Sequence, residues 1–93
     1  MDAEADIALD AMPRISPRFR LQFERAQSAW VLLYPEGMVK LSETAAEIMT
    51  RVDSRSSIED LLQSLERAFP GADLRADVLD FLKIARQRGW IIV

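Results

Sequence analysis

The stretch "WVLLYPEGMVKLSETAAEIM", residues 30–49, places apolar segments on either side of a Pro-Glu-Gly turn and then begins a helix. The first segment, 30–34, is apolar on both faces, which is typical of a central strand that is covered on both sides. Proline fixes φ at one position of the turn, and glycine permits a positive φ near its end. The short segment 38–41, "MVKL", is therefore predicted to be the next strand and to run antiparallel to the first.

The residues before this stretch predict a further strand. In "RFRLQFER", the apolar residues Phe19, Leu21 and Phe23 alternate with charged or polar ones, and this period of two indicates a strand with one solvent-facing side. Residues 1–13 have few apolar anchors, so we interpret them as a flexible N-terminal arm. The remainder, 14–93, fits a single domain, because a chain of 93 residues has room for one hydrophobic core.

Three helices are predicted after the third strand. The first begins near Ser42 or Thr44, and Thr44 has a glutamate three residues on, which is the spacing of a capping box. The second begins at the serine pair 56–57 and ends at the Pro-Gly of 70–71, while the third covers about 73–88. The closing "WIIV" is expected to be a short extended tail. The chain is thus predicted to be an α+β, winged-helix-like domain with a three-stranded antiparallel sheet followed by three helices.

The composition excludes several function classes. The chain has no cysteine and no histidine, so it lacks disulfides, thiolate metal sites and the commonest general base. A net charge of −3 argues against nucleic-acid binding, which usually needs a basic surface. No apolar run approaches the roughly 18 residues of a membrane helix, and the acidic first residues are unlike a secretion signal. We therefore expect a cytoplasmic protein that binds neither membrane nor nucleic acid.

Two carboxylate pairs are the remaining candidates for chemistry. Asp77 with Asp80, and Glu43 with Glu47, are spaced so that each pair shares a helix face. Such pairs can do acid–base work or bind a hard cation. Helix capping and the helix dipole already account for both pairs. We therefore expect no catalytic site, no metal and no cofactor.

The edges of the predicted sheet are the candidate binding surface. The third strand, 38–41, carries only one charge, and an exposed edge accepts another backbone unless it is blocked. On the third helix the apolar arc spans about 220°, which fits either a helix wholly in the core or one with a flank lining a groove. The basic residues near the first strand are interpreted as a solvated face or as a partner-facing patch: Arg14, Arg18, Arg20 and Arg25.

Several segments resemble the PqqD family of pyrroloquinoline quinone (PQQ) biosynthesis. The matching segments keep the order and spacing of the family between residues 13 and 92: "RFRLQFE", "LLYPEG", "LSETAAEI", "FPGADLRADVLDFL" and the late "GW". One departure follows the first helix, where the family commonly has Asp-Gly and this chain has Asp53 followed by Ser54. The arm before Pro13 is not covered by the resemblance.

The resemblance implies a non-catalytic peptide chaperone with a winged-helix-like fold. PqqD-like domains recognise ribosomally made, modified peptides (RiPPs), and this family binds the precursor peptide PqqA. The family presents PqqA to PqqE, a radical-SAM iron–sulfur enzyme that joins a glutamate and a tyrosine of the peptide. Related recognition elements take the peptide as an added strand on the third strand, beside the third helix. Carried over, with the helix residues chosen by helical position, this places peptide contacts at Met38, Val39, Lys40, Leu41, Phe81, Leu82, Ile84 and Arg86.

Two alternatives stay open at this point. The order of elements also permits a winged-helix DNA-binding module, although the acidic charge and the aspartates at the start of the third helix weigh against it. An unpaired edge strand and a loose N-terminal arm would also permit a homodimer formed by strand exchange.

Overall fold

The computed structural model describes residues 7–93, which form two antiparallel sheets and three helices. The α+β arrangement expected from the sequence, a three-stranded antiparallel sheet followed by three helices, is confirmed. In chain order the elements are β1 (Arg14–Ile15), β2 (Arg20–Glu24), β3 (Ala29–Tyr34), β4 (Gly37–Lys40), α1 (Glu43–Met49), α2 (Ile58–Ala68), α3 (Arg75–Gln87) and β5 (Ile91–Ile92).

The three-stranded sheet has the order β2-β3-β4. Leu32, at its centre, lies opposite Leu21 on β2 and opposite Val39 on β4. Leu32 belongs to the hydrophobic core, and the other two side chains pack against that core. This row of three residues therefore marks the face of the sheet that the core covers.

The turn between β3 and β4 consists of Pro35 and Glu36, because Tyr34 and Gly37 are the last paired residues on each side. Gly37 does not have the positive φ that the sequence led us to expect. A Cβ added to Gly37 would lie 3.5 Å from the Tyr34 hydroxyl oxygen, which is an ordinary contact distance. Neither conformation nor space therefore requires glycine at this position.

A second, two-stranded sheet joins residues near the two ends of the described chain. Arg14 on β1 lies opposite Ile92 on β5, and Ile15 lies opposite Ile91. The sequence indicated an extended C-terminal tail but not its partner strand. Since β1 has two residues and stands between prolines, it offers no alternation to detect.

The part of the expected N-terminal arm that the structure describes, residues 7–13, packs on the domain. Ile7 and Pro13 are buried, and Ile7 belongs to the hydrophobic core. For these residues the packing replaces the expected free arm, because burying Ile7 removes apolar surface from water. The earlier part, 1–6, lies outside the described residues, and the domain boundary after residue 13 stays a prediction.

The backbone of this N-terminal segment also caps α2. The amides of Ile58 and Glu59 donate to the carbonyls of Ala11 and Leu9, each at 2.9 Å. The first N–H groups of a helix have no partner within the helix, so they need an outside acceptor. The segment thus supplies two acceptors that no side chain of α2 provides.

Serine hydroxyls cap α1 and α2. The Ser42 hydroxyl oxygen accepts from the Ala45 amide at 3.1 Å, so the capping box expected at Thr44 is wrong. At α2 the Ser57 hydroxyl oxygen accepts from the Asp60 amide at 3.0 Å, and the Asp60 carboxylate accepts from the Ser57 amide at 3.1 Å. This reciprocal pair is a complete capping box.

Arg75, at the start of α3, joins α3 to α2. Its guanidinium donates to the Glu59 carboxylate at 2.8 and 3.0 Å, and to the Glu66 carboxylate at 3.3 and 3.4 Å. Charge-assisted pairs with this two-point geometry are stronger than neutral hydrogen bonds. The bonds from Arg75, and a further one from Gln63, hold the pKa of Glu59 at about 2, below its usual 4.5.

We expect acid to weaken this α2–α3 junction. Because the pKa of Glu59 is lower in the folded state than its unfolded value of 4.5, its stabilising contribution is present above that pH and is lost as the pH falls toward 2. Arg75→Ala should lower the thermal unfolding midpoint at pH 7 by a few degrees. It should also narrow the gap between the midpoints at pH 7 and pH 3. Thermal unfolding followed by circular dichroism at each pH measures both effects. Arg67→Ala, which changes an exposed arginine of α2, should alter neither, and an unchanged gap in Arg75→Ala would contradict the assignment.

Ser54, in the loop between α1 and α2, has a positive φ of 61°. The Asp53 carboxylate accepts from the amides of Arg55 and Ser56, each at 2.9 Å, and these bonds lower the pKa of Asp53. Ser54 stands where the family that the sequence resembles commonly has glycine, the residue that adopts a positive φ at least cost. The loop therefore has a conformation suited to Asp-Gly.

Ser54→Gly is expected to stabilise the domain. The left-handed conformation costs a non-glycine residue about 1–2 kcal/mol, and the greater chain entropy of glycine offsets up to about 1 kcal/mol of that gain. We expect the free energy of unfolding, measured with urea, to rise by about 0.5–1 kcal/mol. Ser56→Gly, in the same loop but without a positive φ, is the control and should give no gain. A lower urea midpoint for Ser54→Gly would contradict this account.

Candidate functional site

The outer edge of β4 has no partner strand among residues 7–93, where β4 pairs with β3 alone. The Leu41 amide donates to the Trp30 carbonyl at 2.9 Å, which continues the β3–β4 register by one pair. Since hydrogen-bonded pairs alternate along an antiparallel ladder, Val39 is also turned toward β3. Met38 and Lys40 therefore direct their N–H and C=O groups away from the sheet.

The same alternation assigns the outward groups on the opposite edge, β2. Because Trp30 on β3 is turned toward β4, the next residue, Val31, is turned toward β2. Val31 lies opposite Gln22, so the backbone of Gln22 faces into the sheet. Leu21 and Phe23, on either side of Gln22, therefore direct their backbone groups outward. Each edge of the sheet thus has two residues with outward backbone groups, so the same substitution can be compared at both edges.

Side-chain burial divides the four edge residues that the sequence singled out. Met38 is 42 % exposed, and Lys40 is exposed as well. Val39 is half-buried and packs against the core, while Leu41 is buried within it. A guest strand at this edge would meet the backbone of Met38 and Lys40, with Val39 and Leu41 on the core side.

The four residues singled out on the third helix divide in the same way. Leu82 is fully buried in the core, whereas Ile84 is 44 % exposed. Phe81 and Arg86 are half-buried, and the Phe81 ring centre lies 6.4 Å from that of Trp90. Phe81 packs against the same core as Val39 on β4. Among these four residues, the accessible surface of α3 is thus carried by the exposed and half-buried ones and not by Leu82.

Two surface clefts flank α1, and of the eight residues singled out from the sequence only Leu41 lines either of them. The first, here called the helical cleft, lies among the three helices and is lined mainly by Ile48, Leu65, Phe69, Leu74 and Val78. The second, the hairpin cleft, lies between α1 and the β2–β3 hairpin, with a lining that includes Phe23, Ala29, Trp30, Ala46 and Thr50. Glu43 and Glu47 line both.

These clefts were not predictable from the sequence, because they form where elements distant in the chain meet. The only sequence signal was the presence of large apolar residues at element ends, such as Phe23 and Phe69. Both are exposed, at 47 % and 41 %. Phe69 follows the last residue of α2 with φ −130° and ψ 67°, so it leaves the apolar stripe of that helix.

The described residues offer no cluster of His, Cys, Asp or Glu that could hold a metal ion. The carboxylates of Asp53 and Glu59 have lowered pKa values, and local hydrogen bonds cause both shifts. Neither residue lines the helical or the hairpin cleft. Within residues 7–93, no helix combines the length and apolar character needed to cross a bilayer.

The fold and the open edge define a class of small α+β domain with a sheet margin suited to strand addition. The chain belongs to the PqqD family: the family model described as Coenzyme PQQ synthesis protein D matches residues 29–91. The resemblance found in the sequence is thereby confirmed.

Bacterial relatives match this chain over almost their whole length. A protein of Azotobacter vinelandii named PqqA binding protein is 46 % identical over 88 residues, covering 94 % of this chain and 96 % of the relative. A protein of Pseudomonas aeruginosa with the same name is 44 % identical over 85 residues, covering 90 % of this chain and 92 % of the relative.

Two solved structures share the fold. The solution structure of the PqqD part of Methylobacterium extorquens PqqCD gives a TM-score of 0.77 at 23 % identity, covering 99 % of this chain and all of that one. That protein is described as a functional and stand-alone RiPP recognition element. The crystal structure of PqqD from Xanthomonas campestris gives a TM-score of 0.55 at 29 % identity, covering 94 % of this chain and 99 % of the other.

Proposed function

We propose that this chain is a non-catalytic peptide chaperone that binds the precursor peptide PqqA and presents it to the enzyme PqqE. The observation that carries the proposal is the open edge of β4, where Met38 and Lys40 direct backbone groups outward. The names of the relatives from A. vinelandii and P. aeruginosa support PqqA as the guest.

The binding step is strand addition. An extended segment of PqqA pairs with the outward N–H and C=O groups of Met38 and Lys40, and this main-chain pairing supplies affinity that is independent of guest side chains. Guest side chains on the core side contact the half-buried Phe81 and the exposed Ile84 of α3, which gives sequence preference. Val39 and Leu41 hold the edge in place through the core, and Arg86 borders the same surface.

Moderate affinity follows from this mode of binding. Binding a free precursor peptide carries an entropic cost, because each peptide residue that joins the sheet loses backbone freedom. The hydrogen bonds and the apolar contacts with α3 exceed that cost by a moderate margin. A chaperone that hands its guest to an enzyme needs such a balance, since the guest must also leave.

The second step of the proposed role is the presentation of PqqA to PqqE. The chain holds PqqA extended in the cytoplasm, and PqqE carries out the chemistry with its own cofactor. The test is a reaction of PqqE with PqqA, with and without this chain, in which mass spectrometry follows the joined peptide. We expect the product to accumulate when the chain is present. Equal product in its absence would contradict the proposed role.

A further inference from the structure

A ridge of two carboxylates on α1 separates the helical cleft from the hairpin cleft. Glu43 and Glu47 are four residues apart, so their side chains lie one above the other on the same face of the helix. Both residues line both clefts. On one flank of the ridge Ile48 lines the helical cleft, and on the other Ala46 lines the hairpin cleft.

Each cleft presents exposed aromatic surface. Phe69 in the helical cleft is 41 % exposed, and Phe23 in the hairpin cleft is 47 % exposed with its ring centre 5.7 Å from that of Trp30. The clefts have volumes of about 260 and 340 Å³. Small-molecule sites occupy roughly 300–1,000 Å³, so the helical cleft lies below this range and the hairpin cleft at its lower end, and each has room for one large protein side chain.

The charge on this surface is acidic. Among the residues that line the two clefts, the charged ones are Glu43 and Glu47. Glu47 is paired with Arg51 at 2.8 Å, whereas Glu43 is exposed and makes no ion pair within residues 7–93. A positively charged group that approaches the ridge therefore meets a carboxylate that is not already neutralised.

We propose that α1 and its two clefts form a docking surface for a protein segment in which lysine or arginine stands between two apolar side chains. The basic group lies over the ridge at Glu43, and one apolar side chain enters each cleft. A helix is roughly 10 Å wide and an extended chain rises about 3.3 Å per residue, so apolar residues four positions apart, about 13 Å, span the ridge. Side chains alternate along an extended chain, so a basic residue midway between them lies on the same face as both apolar side chains. Of the predicted edge residues 38–41 only Leu41, which is buried, lines either cleft, so a segment docked on α1 leaves the outward groups of Met38 and Lys40 free and does not depend on PqqA binding.

Two synthetic peptides test the charge requirement. One contains leucine, serine, arginine, serine and leucine in sequence between glycine and serine flanks, and the other has glutamate in place of the arginine. Each is titrated into the ¹⁵N-labelled chain at low salt and followed by two-dimensional NMR. We expect the arginine peptide to shift the amides of Glu43, Glu47 and Ile48, and the glutamate peptide to bind at least about tenfold more weakly. Added salt should weaken the binding of the arginine peptide, because it screens the attraction between the charges.

Substitutions at the ridge make the test specific. Glu43→Lys should lower the affinity for the arginine peptide about tenfold, because it reverses the charge. Glu43→Gln should lower it about threefold, because it only removes the charge. Glu43→Gln also guards against misfolding, since an acidic residue favours the first turn of a helix. Asp80→Lys makes the same charge change on an exposed residue of α3 that lines neither cleft, and it should leave binding unchanged.

Several results would overturn the proposal. Equal weakening by Asp80→Lys and Glu43→Lys would show only a general attraction to an acidic chain. Equal binding of the two peptides, or amide shifts confined to Met38 and Lys40, would place the contact elsewhere. A molecular mass that rises with chain concentration in light scattering, and no longer rises in Glu43→Lys, would make a second copy of this chain the occupant instead.

Discussion

Lys40→Pro is expected to lower the affinity for PqqA by roughly 10- to 100-fold while the domain stays folded, because an unmet hydrogen-bonding group costs about 1–3 kcal/mol. The N–H of Lys40 faces away from β3, so its loss leaves the β3–β4 ladder intact. The proline ring also obstructs a strand approaching from that side. Isothermal titration calorimetry with PqqA measures the change, and circular dichroism verifies the fold.

Two further prolines make this experiment selective. Phe23→Pro removes an outward N–H from β2, the opposite edge, and should leave the affinity for PqqA unchanged. Val39→Pro removes an inward N–H that belongs to the ladder with β3, and it should destabilise the fold itself. A folded Lys40→Pro variant that binds PqqA as tightly as the original chain would show that PqqA does not pair with the β4 edge.

Leu82→Ala is expected to cost about 2–5 kcal/mol of folding free energy, which is the usual range for removing a large apolar side chain from a core. Leu82 has no exposed surface and belongs to the core cluster. Small domains have a total stability of about 5–15 kcal/mol, so the loss is a large share of it. Urea unfolding followed by circular dichroism measures the difference.

Ile84→Ala is the matched control, since it lies two residues further along the same helix and is 44 % exposed. Its cost should stay below about 1 kcal/mol, because the side chain keeps much of its contact with water in the folded state. Its expected effect is instead on PqqA affinity. Similar unfolding midpoints for the two variants would contradict the placement of Leu82 in the core.

The sheet and the second helix follow from local periodicity, which is why the sequence predicts them well. Alternation around Leu21 indicates a strand with one covered side, and the apolar stripe that includes Ile58, Leu61 and Leu65 indicates one buried helix face. The structure places these residues as expected: Leu21 packs against the core, and the three α2 residues lie within it. The open edge of β4 is predictable for the same reason, because it needs only the strand order.

Features that depend on distant contacts were not predictable. The helical wheel places Leu82 near the centre of the apolar arc and Ile84 on one flank, but only the packed structure shows that the first is buried and the second exposed. The pairing of Arg14 with Ile92 joins segments far apart in the chain. The two clefts beside α1 likewise depend on how helices and hairpin meet. The sequence therefore indicates which strand edge lacks a partner, but not which side chains of α3 are exposed.

Hydrogen exchange at the two edges of the sheet tests the central claim most directly. The amides of Met38 and Lys40 face outward from β4, and those of Leu21 and Phe23 face outward from β2, so all four should exchange quickly in the free chain. Saturation with PqqA should slow exchange at Met38 and Lys40 and leave Leu21 and Phe23 unchanged. Unchanged exchange at Met38 and Lys40 in the saturated complex would contradict strand addition at β4.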